Sequence, residues 1–208
     1  MLITRLHRFL TAPTAKTSNQ LRFWLSLSLA FAIFYSFLDL QQAFSSTYVV
    51  QDDARVYLSW MQRFLEPGLL PGDLLTDYFQ SVTPSGYTAL YRLIAGVGID
   101  PLLLSKFLPV CLRLLTTGYC FALCMQIFPL PAAGFITTLL LNQSLSMRDD
   151  LASSTPRAFI FLLFIAFLSY LLRRSLLPCL GAIAQWPPGL RQCVAVLGLA
   201  YLPSFYTW

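Results

Sequence analysis

Two pairs of adjacent carboxylates, Asp52-Asp53 and Asp149-Asp150, are the residues of this chain best suited to chemistry. Both stand where an apolar run gives way to a helical pattern. Closely spaced carboxylates bind hard divalent cations such as Mg²⁺ or Mn²⁺ through oxygen. An ion held there would neutralise a phosphate leaving group, and a carboxylate left free would take the proton of an acceptor hydroxyl. Arg55, Lys106 and Arg148 stand near these pairs in sequence and suit phosphate oxygens. The plainer alternative is that acids in loops are solvated and that Asp caps helices well. Two pairs, both at helix mouths, favour the chemical reading.

Other chemistries are excluded by residue type. His7 is the only histidine and lies in a basic leader, which removes Ser-His-Asp and Cys-His catalysis and any His-rich metal site. Cys111, Cys120, Cys124, Cys179 and Cys193 lie outside the polar loops and form no Cys-x-x-Cys. They read as small buried apolar side chains rather than as disulfides or metal ligands.

The elements that must position the acids are membrane helices. Of 208 residues, 57% are hydrophobic and 11% charged, against about 25% charged in a soluble domain. The mean hydropathy is +0.65. The net charge of +5 is unevenly placed: all acids fall between Asp39 and Asp150, while Arg5, Arg8, Lys16 and Arg22 precede them. Basic residues beside membrane helices mark the cytoplasmic side, so the N-terminus and the Arg173-Arg174 pair should share it. The cell's inner (plasma) membrane is the expected location. The basic residues form no continuous face, so no nucleic-acid partner is expected.

The fold class expected is all-α: a polytopic helical membrane protein with four to six transmembrane helices and interfacial helices in a long first extracytoplasmic loop. Residues 1–22 read as a cytoplasmic leader, 23–174 as the transmembrane domain, and 175–208 as a partial helix or hairpin of a truncated product. Phe23 to Leu38, extended to Phe44, reads as an uncleaved anchor, because Ala43-Phe44-Ser45 is a poor cleavage signal. In the loop, apolar residues at 57, 60, 61, 64 and 65 predict a helix from Ala54 to Glu66, with Asp53 as its N-cap. A second helix is expected from Ser85 to Val97, with Tyr87, Leu90, Tyr91, Ile94 and Val97 on one face, and an irregular stretch from Pro71 to Pro84 between the two. Further crossings are expected at Leu104–Phe128, Ala132–Leu145 and Pro156–Leu172, with Asn142 and Ser144 at the mouth of the middle one. Arg113 falls inside a crossing, where an Arg either snorkels or faces protein, a cavity or an anion.

The order of these features resembles the polytopic glycosyltransferases of the C-type fold, closest to protein O-mannosyltransferases and aminoarabinose (lipid A) transferases. The resemblance covers about residues 20–174. It rests on Asp52-Asp53-Ala54-Arg55-Val56-Tyr57 after the first helix, Thr83-Pro84-Ser85-Gly86-Tyr87 and Tyr91 in the loop, Gly96-Val97-Gly98 and Lys106-Phe107-Leu108-Pro109 at the second helix, and Arg148-Asp149-Asp150 in the second outer loop. The Lys-Pro-Pro that many members carry is absent. The resemblance implies inverting transfer of a sugar from a polyprenyl-phosphate donor to an extracytoplasmic acceptor, in contact with membrane lipids. Asp52 or Asp53 would be the base or a metal-linked carboxylate, and Asp149 or Asp150 the second acid, with Asp53 and Asp150 holding the divalent ion. Arg55, Tyr57, Lys106, Arg113 and Arg148 would bind substrate. Members are much longer, and their later helices complete the lipid and acceptor sites. The competing readings are a small non-catalytic membrane protein, such as an assembly subunit or degenerate product, and a transporter fragment using Arg113 and Asp39.

Overall fold

The computed structural model describes residues 18–45, 52–147 and 149–173, and the side chains of all of these except 18, 52–54, 149 and 150. The expected leader before residue 18 and the expected partial helix or hairpin at 175–208 lie outside the described residues. Among the described residues every regular element is helical: α1 Ser18–Phe44, α2 Asp52–Met61, α3 Leu74–Val82, α4 Ser85–Gly96, α5 Pro101–Ile127, α6 Pro131–Ser146, α7 Asp149–Ala152 and α8 Ala158–Leu172, with one 3₁₀ turn at Gln62–Phe64.

Two of these helices, α1 and α5, are long and apolar enough to cross a membrane. Each has 27 residues, or about 40 Å at the helical rise, against about 30 Å of hydrocarbon. Only 22% of the most apolar window of α1 is buried, and Phe31, Ile33, Phe34, Phe37 and Leu38 are exposed. The core helix of a soluble protein would bury such a face, so these side chains suit lipid as their solvent. The remaining apolar helices are shorter, 16 residues in α6 and 15 in α8.

The start of α5 has a local cause. Asp100 caps it, its carboxylate accepting from Leu102 N at 2.7 Å, and Pro101 takes the first helical position, where a missing N–H costs nothing. This Asp-Pro start begins the helix three residues before the expected Leu104. The stretch expected to be irregular between Pro71 and Pro84 instead contains α3. Asp73 is its N-cap, accepting from the amide of Thr76 at 3.3 Å and from its hydroxyl. Those bonds, the hydroxyl first, hold the Asp73 carboxyl below its usual range. The helix α2 starts at Asp52, so Asp53 falls in its first turn rather than at the expected cap position. The helix α4 ends at Gly96, and Val97, expected on its packed face, is exposed.

The chain divides into two compact units. One comprises Met1–Tyr35, Arg113–Ser144 and Phe161–Trp208. Within it Trp24, Phe121 and Ala132 form a buried core, and the α6 backbone meets the Phe121 ring at Gly134. A buried polar ladder also binds its helices. Ser28 Oγ donates to Trp24 O at 2.9 Å, Thr138 Oγ1 donates to Ser28 Oγ at 2.9 Å, and Asn142 Nδ2 donates to Thr138 O at 2.8 Å and Thr117 Oγ1 at 3.0 Å. Asn142, expected at a helix mouth, is therefore fully buried. Its amide gains more from helix partners than from water it would otherwise have to reach through apolar surroundings.

The second unit comprises Ser36–Leu112 and Leu145–Ile160. Leu58, Trp60 and Met61 of α2 and Tyr87, Tyr91 and Ala95 of α4 make its core. Tyr57 sits edge-on to Phe79 and Tyr87, with ring centroids 5.8 and 6.3 Å away, tying α2 to α3 and α4. Fully burying side chains of this size stabilises by roughly 1.5–3 kcal/mol each.

Candidate functional site

Pro109 sets up the most distinctive site of the second unit. It lies inside α5 and has no N–H, so the carbonyl four residues back, on Ser105, loses its intrahelical donor. The Ser154 hydroxyl donates to that carbonyl instead. Ser154 is buried and holds a left-handed backbone, φ 54°, a conformation that strains any residue with a Cβ. Its own carbonyl accepts from Tyr87 Oη at 2.8 Å. Burial pushes the Tyr87 phenol far above its ordinary range, so it serves as a neutral donor at any ordinary pH.

These bonds shape one wall of a cavity of about 50 Å³, room for about one or two waters or the head of a small anion. Its other walls come from Ser36, Asp39, Gln42, Lys106 and Ser153. Ser36 is 3% exposed, and its hydroxyl has no hydrogen-bond partner among the described residues. An unmade bond of that kind costs about 1–3 kcal/mol, which a ligand or water in the cavity would recover. The Lys106 ammonium lies 4.6 Å from the centroid of the Phe44 ring, which fixes a flexible side chain against an aromatic face. The lining thus offers an ammonium, serine hydroxyls and a carboxamide, which suit anionic oxygen, together with the Asp39 carboxylate, which opposes it.

Of the site residues expected from sequence, Lys106 lines this cavity and Tyr57 reaches it indirectly, through its edge contact with Tyr87. Arg55 is an exposed residue of α2 and forms no part of the lining. Asp52 and Asp53 open α2, Asp149 and Asp150 open α7, and all four belong to the second unit; their side chains, and Arg148, lie outside the described residues. The helix α7 contributes its last residue, Ala152, to the cavity. Among the described residues no group of three or more His, Cys, Asp or Glu gathers. Arg113 belongs to the first unit, 1% exposed, donating to Asn142 O at 3.3 Å with its guanidinium 5.9 Å from the Tyr35 ring centroid. There it packs against protein, one of the two placements expected of it, and does not snorkel.

Ser36, Gln42, Ser153 and Ser154 were not singled out from sequence, and Asp39 entered only through the transporter reading. Asp39 carried a legible signal, an acid interrupting an apolar helix, which is expensive at membrane depth and marks function. The serines carried none, because the carbonyl freed by Pro109 and the turn at Ser154 exist only in three dimensions.

The fold and site define an all-helical protein with two helices able to cross a membrane and a small polar cavity in its second unit. Comparison with protein-family models, characterised proteins and solved structures finds no match for this chain.

Proposed function

We propose that this chain is the N-terminal part of a membrane glycosyltransferase of the C-type fold, moving a sugar from a polyprenyl-phosphate donor to an extracytoplasmic acceptor. In this reading the chain crosses the cell's inner membrane four to six times, with its N-terminus cytoplasmic. The observation that carries it is the polar cavity, where Lys106 and the Ser36 hydroxyl, which has no hydrogen-bond partner among the described residues, share a wall with Asp39. The unit that holds it also carries both aspartate pairs. The phosphate head of the donor would accept from Lys106 Nζ and Ser36 Oγ. The acceptor oxygen attacks the anomeric carbon, the bond from that carbon to the phosphate oxygen breaks, and the phosphate keeps the electron pair. A carboxylate of Asp52 or Asp53 takes the acceptor proton. A divalent cation held by Asp53 and Asp150 would supply charge neutralisation at the leaving phosphate.

The test separates binding from chemistry. The chain in lipid nanodiscs is titrated with undecaprenyl phosphate and read by native mass spectrometry. Lys106→Ala should weaken binding about tenfold, and Ser36→Ala severalfold, as expected for charge-assisted and neutral hydrogen bonds. In a complete protein that carries the later helices, Asp53→Asn should leave binding intact while abolishing transfer from a radiolabelled polyprenyl-phosphate sugar. Binding indifferent to both Lys106→Ala and Ser36→Ala removes the proposal.

A further inference from the structure

The outer-loop helices of the second unit carry a different site. Between the end of α2 and α3 lies a groove of about 440 Å³, continuous in lining residues with a second of about 570 Å³: Gln80 and Arg92 line both. The volumes are those of small-molecule sites. Its floor is built by Arg63, which is committed to the fold. Nε donates to Leu69 O at 3.1 Å, Nη2 to Leu70 O at 2.7 Å, and Nη1 to Asp77 Oδ1 at 2.7 Å and Gln80 Oε1 at 2.9 Å. These bonds hold the turn before α3, where Leu70 takes φ 51° and Gly72 φ 75°. A leucine in the left-handed region is strained, and such strain collects at ligand clamps.

Arg63 is neutralised by Asp77, so the cation left to face a ligand is Arg92. Its guanidinium lies 5.3 Å from the Phe64 ring centroid, and it makes no ion pair among the described residues. Stacking uses a face of the guanidinium and leaves its N–H edge, whose spacing matches the two oxygens of a carboxylate. With Arg63 and Asp77 paired, Arg92 is the net charge the described lining offers, and one cation balances a monoanionic carboxylate better than a dianionic phosphate. Trp60 supplies an independent observation. It lines the groove, is fully buried, and its Nε1 has no hydrogen-bond partner among the described residues. The second groove is lined by Thr83, Ser85 and Thr88. The Thr88 hydroxyl spends its proton on Pro84 O at 3.2 Å, leaving lone pairs to accept from a ligand hydroxyl.

We propose that this groove binds a small hydroxylated carboxylate, the chemistry of a sugar acid, with its carboxylate on Arg92 and its hydroxyls along Gln80 and Thr88. The site stands whether or not the chain transfers sugars. The full chain in nanodiscs, carrying ¹⁵N-labelled indoles, is titrated with D-glucuronate, with D-glucose and a Glu-Glu dipeptide as comparators. Glucuronate should shift the Trp60 indole resonance, assigned through Trp60→Phe, and bind about tenfold more tightly than glucose, the margin of one charge-assisted pair. Arg92→Gln should erase that margin and Arg92→Lys restore part of it. Arg92 is exposed, so neither variant should disturb the fold, and unchanged circular dichroism confirms it. Gln80→Ala provides a second variant and should weaken glucuronate severalfold. Equal binding of glucose and glucuronate, indifference to Arg92→Gln, or tighter binding of the dipeptide each overturns the proposal.

Discussion

Ser154 concentrates the physics of the polar cavity in one residue. It stabilises through its hydroxyl, which satisfies the carbonyl that Pro109 leaves open, and it costs through its left-handed backbone. The two terms can be separated by substitution. Ser154→Ala loses the hydroxyl and keeps the strain. Ser154→Gly loses the hydroxyl and relieves the strain. The alanine variant should therefore be the less stable by about 1 kcal/mol, measured by denaturant unfolding in micelles; equal stabilities would mean that the left-handed turn is not strained in the folded protein. Tyr91 adds a pH-dependent term. Burial raises its phenol from 10.0 to about 12, so the folded state keeps the proton more firmly than the unfolded one. Its contribution is fully present below pH 10.0 and is lost as pH rises to about 12. Tyr91→Phe should lessen the fall in melting temperature across that window, Tyr87 with its more strongly raised phenol carrying the remainder, and a slope unchanged in the variant would remove Tyr91 from the loss.

At the scale of elements, apolar periodicity was a good guide and local caps were the weak point. Of the first expected stripe, Tyr57, Trp60 and Met61 lie in α2 and are at least partly buried, Phe64 falls in the 3₁₀ turn that follows, and Leu65 is exposed. Of the second, Tyr87, Leu90, Tyr91 and Ile94 are at least partly buried in α4 and Val97 is exposed. The helix α3 was missed because the prolines and glycines at its flanks suggested a loop throughout. Asp73 and Thr76 within that stretch are a cap and its partner, a signal that needs only two residues. The buried role of Asn142 was illegible for another reason: its partners Thr117 and Thr138 are met only once α5 and α6 pair. That pairing depends on Gly134. A Cβ there would stand 2.9 Å from Phe121 Cε2. Alanine would gain about 1 kcal/mol in helix propensity, but forcing a buried ring aside costs about 1–3 kcal/mol. Gly134→Ala should on balance destabilise, and Gly134→Leu more so. In a Phe121→Leu background the alanine penalty should vanish. A penalty that survives there would place the cause in the α6 backbone rather than in the ring.

For the whole molecule, the deciding question is how often the chain crosses the bilayer. The helices α1 and α5 qualify by length and composition. The 16 residues of α6 extend only about 24 Å, short of about 30 Å of hydrocarbon, which a bilayer accommodates by thinning at modest cost. The proposed function requires α6 to cross nevertheless, so that both aspartate pairs meet the same side of the membrane. Single cysteines in a cysteine-free chain test this in spheroplasts with a membrane-impermeant maleimide. Gly98 and Met147, which flank the α5–α6 pair, should label from outside. Asn19, at the start of α1, and Leu130, between α5 and α6, should label only after permeabilisation. If Met147 labels with Leu130 instead, α6 is re-entrant, Asp149 and Asp150 face the cytoplasm, and no sugar transfer can use both aspartate pairs on one side of the membrane.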